Sequence, residues 1–219
     1  MLGYDSTGQA IISPQEQHVT STTEVLPVVA RADDVPGPPQ GRWTYEAYAR
    51  IPDDGRRYEI IDGVLYVTPA PSYPHQNSVS NFHYHLKTHL RTTGRGIVIL
   101  APFDVELMPG QPVVQPDVLV VLAEHRHRLT NSRLIGPPDL VIEVSSPSTA
   151  THDRSRKLSA YARAGVPEYW IADPNARTVE LLFLEGSEYV SAGVFSGAAV
   201  LPSRIVPGLG VPVEEFFAE

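Results

Sequence analysis

The chain has 219 residues, of which 42% are hydrophobic, and a formal net charge of −8. This length suits one domain with a substantial core, and the absence of cysteine excludes disulfides, thiol nucleophiles and thiolate zinc sites. The negative charge argues against a non-specific nucleic-acid-binding protein, whose surface is usually basic, but it leaves room for local basic patches.

The first 40 residues are predicted to form a disordered leader, and residues 41–219 a single domain. The leader is rich in Ser, Thr, Pro and Gln and ends in Pro36-Gly37-Pro38-Pro39. No secretory signal is visible, and no apolar run approaches the roughly 20 residues that span a bilayer. We therefore expect a cytoplasmic protein without a membrane segment.

The first elements of the domain are a short helix and a hairpin. Thr44 is a candidate N-cap for a helix over 44–49. Strand-like runs at 57–61 and 64–67 flank Asp62-Gly63, and an Asp-Gly pair between such runs is a strong hairpin signal.

The remaining elements alternate between helices and strands. Apolar residues at helical spacing predict a helix over 75–91, and a second helix is predicted over 152–164 with Thr151 as its candidate N-cap. The apolar, Pro-rich tail from Val206 to Phe217 is expected to pack as an edge or cap. This order predicts an α/β fold with helices flanking a mixed sheet. The predicted strands are 97–100, 103–107, 117–122, 139–145, 168–172 and 178–184.

Two acidic residues stand at the ends of apolar, strand-like runs, which is unusual because burying a charge is costly unless it is paired or bound to a metal. They are Asp117, before Val118–Leu122, and Glu143, after Leu140–Ile142. Strand alternation places Glu143 on the same face as Val141, and Asp117 on the same face as Leu119. Two neighbouring carboxylates call for a cation, so the pattern is typical of a Mg²⁺ or Mn²⁺ site.

The second helix carries a candidate partner for these acids. Asp153, Lys157 and Tyr161 are spaced four apart and share one helix face. If this helix covers the ends of both strands, Lys157 can reach the carboxylates and stabilise charge on a phosphoryl oxygen. A structural interpretation stays open beside this one, in which Asp117 accepts from a loop amide and Glu143 forms a buried ion pair with Lys157 or Arg156.

Several motifs together resemble those of the Uma-two family of restriction-endonuclease-like proteins, within the PD-(D/E)XK nuclease superfamily. The resemblance covers roughly residues 43–217, and it implies a restriction-endonuclease-like core (αβββαβ) with an N-terminal hairpin extension. It also implies metal-dependent cleavage of phosphodiester bonds that leaves a 5′-phosphate. The motifs are Arg57-Tyr58-Glu59-Ile60-Ile61-Asp62-Gly63, Gln115-Pro116-Asp117, Glu143-Val144-Ser145-Ser146-Pro147-Ser148-Thr149, Asp153…Lys157…Tyr161 and Ala164-Gly165-Val166-Pro167-Glu168-Tyr169-Trp170.

By this resemblance Asp117 matches the motif aspartate and Glu143 the second acid, and both would ligate the metal. Glu59 matches the Tyr-Glu motif of the family, as a third ligand or an orienting group, or else as a hairpin residue paired with arginine. The superfamily pattern places lysine two residues after the second acid, where this chain has Ser145. Lys157 is the expected replacement, and its failure to reach the site would put catalysis in doubt.

The histidines carry weaker signals. His85 and His89 are four apart on the first long helix, but a solvated helix face explains them better than a metal pair. His75 carries no distinguishing pattern. His125 and His127, interleaved with Arg126 and Arg128, form either a DNA-contacting loop or a solvated one.

The sequence therefore supports two hypotheses of different classes. The first is an endonuclease that cleaves DNA with Mg²⁺ or Mn²⁺ and uses Asp117, Glu143, Lys157 and Glu59. The second is a binding or assembly protein that keeps the nuclease fold without turnover, which Ser145 and the net charge of −8 favour. A homodimer is an expectation of the nuclease hypothesis, with the tail near Phe216 and Phe217 either at the contact or in the core.

Overall fold

The computed structural model describes residues 29–109, 111–145 and 152–219, which fold into three helices and twelve strands. Two short 3₁₀ helices, Ala123–Arg128 and Val213–Phe217, complete the described secondary structure. The order is β1 (Ala30–Arg31), α1 (Tyr45–Tyr48), β2 (Arg57–Ile61), β3 (Val64–Thr68), α2 (Tyr73–Thr93), β4 (Gly96–Leu100), β5 (Asp104–Met108), β6 (Gln111–Val114), β7 (Val118–Leu122), β8 (Arg133–Ile135), β9 (Leu140–Val144), α3 (His152–Ala164), β10 (Glu168–Asp173), β11 (Thr178–Glu185) and β12 (Glu188–Ser196).

The strands form two six-stranded mixed sheets. The first has the order β1-β3-β2-β6-β5-β8, and its one parallel pair is β5 with β8. The second has the order β12-β11-β10-β9-β7-β4, and its one parallel pair is β9 with β10. The sequence α2-β4-β7-β9-α3-β10 gives the αβββαβ core, so the predicted fold class is confirmed. The structure adds a second sheet where the sequence indicated one.

Helix α3 lies between the two sheets, and this placement determines where the site forms. The central apolar cluster joins Ala160 and Tyr161 of α3 to Val105 of the first sheet and to Leu119 and Val141 of the second. The outer face of the second sheet is covered by α2 and the C-terminal tail, and the outer face of the first by α1 and Trp43. The layers therefore enclose the inner faces on which Asp117 and Glu143 were expected.

Helix α2 is held against the second sheet by an apolar stripe at helical spacing. Val79, Phe82, Leu86 and Leu90 are all buried in its interface with that sheet. The helix ends at Gly94, whose φ of 65° is the left-handed conformation that commonly terminates helices. The stripe fixes the rotation of the helix, and so fixes which of its N-terminal residues meet the sheet.

The hairpin of β2 and β3 forms at the predicted Asp-Gly turn. Both turn residues have positive φ, 51° at Asp62 and 71° at Gly63. A Cβ at Gly63 would lie 2.5 Å from the carbonyl oxygen of Gly41, so the backbone packing as well as the turn requires glycine. The pairing Glu59↔Tyr66 then sets which residues of β2 face α3.

The predicted leader spans residues 1–40, and its residues 1–28 lie outside the described part of the chain. Its last residues belong to the folded structure, since Ala30 pairs with Val67 of β3 and Ala32 is buried. This strand is too short for a periodic pattern, which is why the sequence did not indicate it. The candidate N-cap Thr151 also lies outside the described residues.

The C-terminal tail packs as a core cap. Phe216 stacks on Phe82 with ring centroids 4.2 Å apart, and Phe217 meets the same ring edge to face. Both aromatic residues of the tail are buried, so a homodimer contact through their side chains has no free surface to use. None of the helices in the described part of the chain combines the length and apolar character of a membrane-spanning segment.

Candidate active site

Asp117 and Glu143 lie across from each other at one end of the second sheet. Val118 of β7 pairs with Ile142 of β9 in antiparallel register, so the residues one step further along, Asp117 and Glu143, are neighbours. The Asp117 carboxylate oxygen Oδ2 accepts a hydrogen bond of 2.9 Å from the backbone N–H of Val144, which joins the two strand ends directly. Their side chains share the inner face of the sheet, as the alternation predicted.

Helix α3 brings two side chains to Glu143. The Lys157 ammonium lies 3.3 Å from each of the two Glu143 carboxylate oxygens. The Tyr161 hydroxyl donates a hydrogen bond of 2.6 Å to Glu143 Oε1. Burial, with Glu143 beside it, raises the pKa of Tyr161 well above its ordinary value, so this hydroxyl keeps its proton and acts as a donor. Asp153 belongs to the same helix, but its side chain lies outside the described residues.

The first sheet contributes Glu59 to the same place. Glu59 Oε2 lies 3.1 Å from the Lys157 ammonium, and no well-aligned hydrogen bond reaches this oxygen in the described part of the chain. The other oxygen, Oε1, accepts a hydrogen bond of 2.8 Å from the backbone N–H of Gln115. The lysine therefore bridges carboxylates from both sheets, and Gln115 ties the Glu59 side chain to the segment that leads into Asp117.

A polar network behind the site fixes Gln115 in turn. Its side-chain amide donates to Asp104 Oδ1 at 2.9 Å and to the Tyr48 hydroxyl at 3.2 Å. The Tyr48 hydroxyl also donates to Asp104 Oδ1, at 2.9 Å. Arg57 donates to the Gln115 side-chain oxygen at 3.3 Å. Gln115 is therefore held on both sides, which gives a physical reason for a Gln-Pro-Asp sequence at this strand start.

The pKa values of Asp117 and Glu143, the two strand acids, are shifted in opposite directions. Burial raises the pKa of Glu143 to about 8, and the charges of Asp117 and Glu59 add to the shift, whereas Lys157 and Tyr161 oppose it. Burial also works against ionisation of Asp117, but the hydrogen bond and charge of His75, the charge of Lys157 and the N–H of Val144 outweigh it and lower its pKa. The pKa of Asp117 therefore lies below that of Glu143, and a further cation beside Glu143 would favour its ionised form.

His75 was not indicated by the sequence, yet it belongs to the site. Its Nε2 lies 3.1 Å from Asp117 Oδ2, and its side chain is 12% exposed. No local pattern distinguishes this histidine, because its contact depends on where the first turn of α2 meets the sheet end. The available signal was its distance of four and seven residues from Val79 and Phe82, which places it on the buried face of the helix.

Ser145 does not substitute for the lysine of the superfamily pattern. Its hydroxyl donates a hydrogen bond of 3.0 Å to the carbonyl oxygen of Ala172, and its N–H donates to the same oxygen at 2.7 Å. Both donors of Ser145 are therefore hydrogen-bonded to the backbone of β10. The ammonium beside Glu143 comes instead from Lys157.

The donor set suits a hard divalent cation. Asp117 and Glu143 are 10% and 13% exposed, compared with 2% for Glu59, so Asp117 and Glu143 are the more accessible of the three carboxylates. Within the described ranges, no three His, Asp or Glu side chains form a cluster that could hold a metal by themselves. Mg²⁺ fits two carboxylates all the same, since it usually keeps several waters and completes its shell with substrate phosphate.

The other histidines lie away from this cluster. The His85 ring packs edge to face on Phe216, and the Nε2 of His89 is buried, so the two do not present a metal pair. His125 and His127 follow the far end of β7 in a 3₁₀ helix. The Nδ1 of His125 lies 2.6 Å from the buried carboxylate of Asp139, and the Nδ1 of His127 donates to the Glu124 carbonyl. This segment, for which a DNA contact and a solvated loop were equal alternatives, therefore lies apart from the acidic cluster.

Comparison with known proteins identifies a matching family and several similar solved structures, two of which are described below. The model of the Uma2 family, described as "Putative restriction endonuclease", matches residues 45–214. No protein among the curated sequences matches the chain.

The first structure, from Anabaena variabilis ATCC 29413, is described as a "putative nuclease belonging to DUF820". It has a TM-score of 0.67 and 20% sequence identity, and the match covers 80% of this chain and 97% of that one. The second is the type IIG restriction endonuclease BpuSI, with a TM-score of 0.37 and 14% identity over 68% of this chain and 16% of that one. The first match supports the fold assignment.

Proposed function

The chain belongs to the Uma2 family, and we propose that it is an endonuclease that hydrolyses DNA phosphodiester bonds with Mg²⁺ or Mn²⁺. One observation carries the proposal. Asp117, Glu143, Glu59 and Lys157 come from four separate elements and two sheets, yet the Lys157 ammonium lies within 3.3 Å of both glutamates. Neighbouring carboxyl groups whose pKa values are shifted by burial and by nearby charges, as those of Asp117 and Glu143 are, are typical of a functional site.

Asp117 and Glu143 are the residues that would hold the cation. Asp117 already carries its charge, because His75 and the Val144 N–H stabilise the anion. Glu143 becomes the second anionic ligand when positive charge approaches, since its pKa is about 8 in the absence of a metal. When bound, the cation stabilises charge on a phosphoryl oxygen and lowers the pKa of a nearby water.

Lys157 supplies the protein's own positive charge beside the reacting phosphate. Glu59 and Glu143 hold its ammonium between them. From there it can donate to a phosphoryl oxygen whose charge increases in the transition state, which commonly contributes a factor of about 10²–10³ in rate. Glu59, fixed by Gln115, keeps the ammonium aimed at the strand acids.

Cleavage of supercoiled, linear and branched DNA with Mg²⁺ or Mn²⁺ tests this proposal. We expect nicking or linearisation by the wild-type protein and its loss in Asp117→Ala and Lys157→Ala. Lys87→Ala is the matched control, because Lys87 is an exposed lysine of α2 outside the cluster. Equal activity of the wild-type protein and Asp117→Ala would contradict the assignment of the site.

A second function has its own supporting observation. Ser145 is bonded to Ala172 where the superfamily pattern places lysine, so the chain could bind nucleic acid or assemble with a partner without turnover. In that case the cleavage assay shows no product on any substrate, while a separate measurement of Mn²⁺ binding shows that the wild-type protein binds the ion and Asp117→Ala does not. A homodimer would accompany the nuclease, since cutting both strands of a duplex is simplest with two sites.

A further inference from the structure

His75 is the polar side chain of α2 that reaches the acidic cluster. Its Nε2 lies 3.1 Å from Asp117 Oδ2, the same oxygen that accepts the Val144 N–H at 2.9 Å. Oδ2 already accepts the Val144 N–H, and a carboxylate oxygen accepts from an imidazole N–H, so the Nε2–H of His75 is the donor in this contact. Two donors therefore converge on one oxygen, and neither uses Oδ1.

The position of His75 follows from the packing of α2. His75 precedes Val79 by four residues, Phe82 by seven and Leu86 by eleven, and these spacings place all four on one helix face. The three apolar residues are buried against the second sheet and fix the rotation of the helix. His75 extends this face past the apolar contacts, to the end of the sheet where Asp117 lies.

The Nε2 contact with Asp117 is the side-chain hydrogen bond that His75 makes within the described residues. Nδ1 is buried, and it has no hydrogen-bond partner among the described residues.

We propose that His75 is a positioning residue, which locks the Asp117 carboxylate so that Oδ1 faces the cation. This inference rests on the proposed function. A carboxylate that accepts from one donor can still rotate about the Cβ–Cγ bond. Two donors on one oxygen fix the position of that oxygen, and so fix the plane of the carboxylate. Partners of this kind, one step behind a metal ligand, typically change metal affinity by roughly 10–100-fold when they are removed.

Glutamine and asparagine at position 75 separate this role from a merely structural one. A glutamine amide nitrogen lies close to the position of the imidazole Nε2, whereas an asparagine amide nitrogen reaches only the position of Nδ1. His75→Gln can therefore restore the hydrogen bond to Asp117, and His75→Asn cannot. His83→Ala is the matched control, because it removes a half-buried histidine of the same helix outside the cluster.

The experiment measures the dissociation constant of Mn²⁺ alone by calorimetry, together with the melting temperature of each variant. We expect the Mn²⁺ dissociation constant to rise roughly 10-fold or more in His75→Ala and His75→Asn. In His75→Gln and His83→Ala it should stay within a few-fold of wild type. Unchanged Mn²⁺ affinity in His75→Ala, or equal losses in His75→Gln and His75→Asn, would overturn the positioning role.

Mn²⁺ binding by the wild-type protein, together with cleavage assays on the same variants, separates this inference from the proposed function. If wild type binds Mn²⁺ and only the His75 series behaves otherwise than expected, the positioning role fails and the metal site remains. If wild type binds no Mn²⁺, the proposed metal-dependent function fails, and the positioning role falls with it. Loss of turnover number at saturating DNA with an unchanged KM for DNA would support His75, since a defect in DNA binding would raise the KM.

Discussion

The Lys157 ammonium lies 3.3 Å from both carboxylate oxygens of Glu143, although the two residues are 14 positions apart in the chain. The strand carries the acid and the following helix carries the base, so the pair forms only when α3 packs between the two sheets. The same ammonium reaches Glu59 at 3.1 Å. One helix thus links the acidic residues of both sheets into a single cluster.

Replacing Lys157 tests the centre of this cluster. In Lys157→Ala the buried Glu59 and the half-buried Glu143 lose the cation between them, and the charge near a phosphoryl oxygen is lost. We expect the turnover number for DNA cleavage to fall roughly 100-fold or more, measured by single-turnover kinetics. Lys157→Arg should recover only part of the rate because the planar guanidinium has a different geometry. A Lys157→Ala variant as active as wild type would contradict the role of the ammonium.

The raised pKa of Glu143 predicts a pH dependence of stability for the metal-free protein. Its ordinary pKa of 4.5 is raised to about 8, mainly by burial. Between these values the folded state keeps a proton that the unfolded state has released, so the contribution of Glu143 to stability falls as pH rises. We expect urea unfolding at pH 5 and pH 8 to show this decline in wild type and a smaller one in Glu143→Gln. Glu188→Gln, at an exposed position, should behave as wild type.

The elements that the sequence predicted well are those whose signals are local. The Asp-Gly hairpin, the stripe of Val79, Phe82 and Leu86, and the alternation around Glu143 each depend on residues within a few positions of one another. The spacing of Lys157 and Tyr161 likewise placed both on the helix face that meets Glu143.

The features that the sequence did not reveal depend on tertiary packing. β1 and β8 are strands of two and three residues whose partners are distant in the chain, and β6 has only four residues, so no periodic pattern separates them from loops. The second sheet and the insertion of α3 between the sheets follow from those pairings. The contact of His75 with Asp117 spans 42 positions and depends on how α2 sits on the sheet.

Tyr161 tunes Glu143 without carrying charge itself. Its hydroxyl donates to Glu143 Oε1 at 2.6 Å, and this hydrogen bond lowers the pKa of the acid. In Tyr161→Phe the pKa of Glu143 should therefore rise further, and the acidic limb of the pH profile for Mn²⁺ binding should move to higher pH. The cost in stability should be about 1 kcal/mol. Tyr189→Phe removes a hydroxyl that donates to the Val166 carbonyl, and should leave the pH profile unchanged.

Glu168 provides a contrasting case, a buried acid whose partners indicate a structural role. Its Oε1 accepts hydrogen bonds from the Trp170 indole at 2.8 Å and the Ser203 hydroxyl at 2.6 Å. Its Oε2 accepts from the N–H groups of Arg204 and Ile205, at 2.8 Å and 3.1 Å. Four donors satisfy the carboxylate and tie the segment just before the C-terminal tail to β10.

In Glu168→Gln the amide nitrogen must face two of those donors, because glutamine has only one acceptor oxygen. When buried donors lose the carboxylate that accepted their hydrogen bonds, the free energy of unfolding falls by about 3 kcal/mol or more. We expect urea unfolding to show this loss, while Mn²⁺ affinity at a temperature where the variant is folded stays unchanged, since Glu168 pairs with Leu140 at the other end of β9 from Glu143. Weakened Mn²⁺ binding at full stability would instead connect Glu168 to the site. Glu143→Gln should instead weaken Mn²⁺ binding and leave the stability to urea largely unchanged. The two variants therefore distinguish an acid that stabilises the fold from one that serves the proposed chemistry.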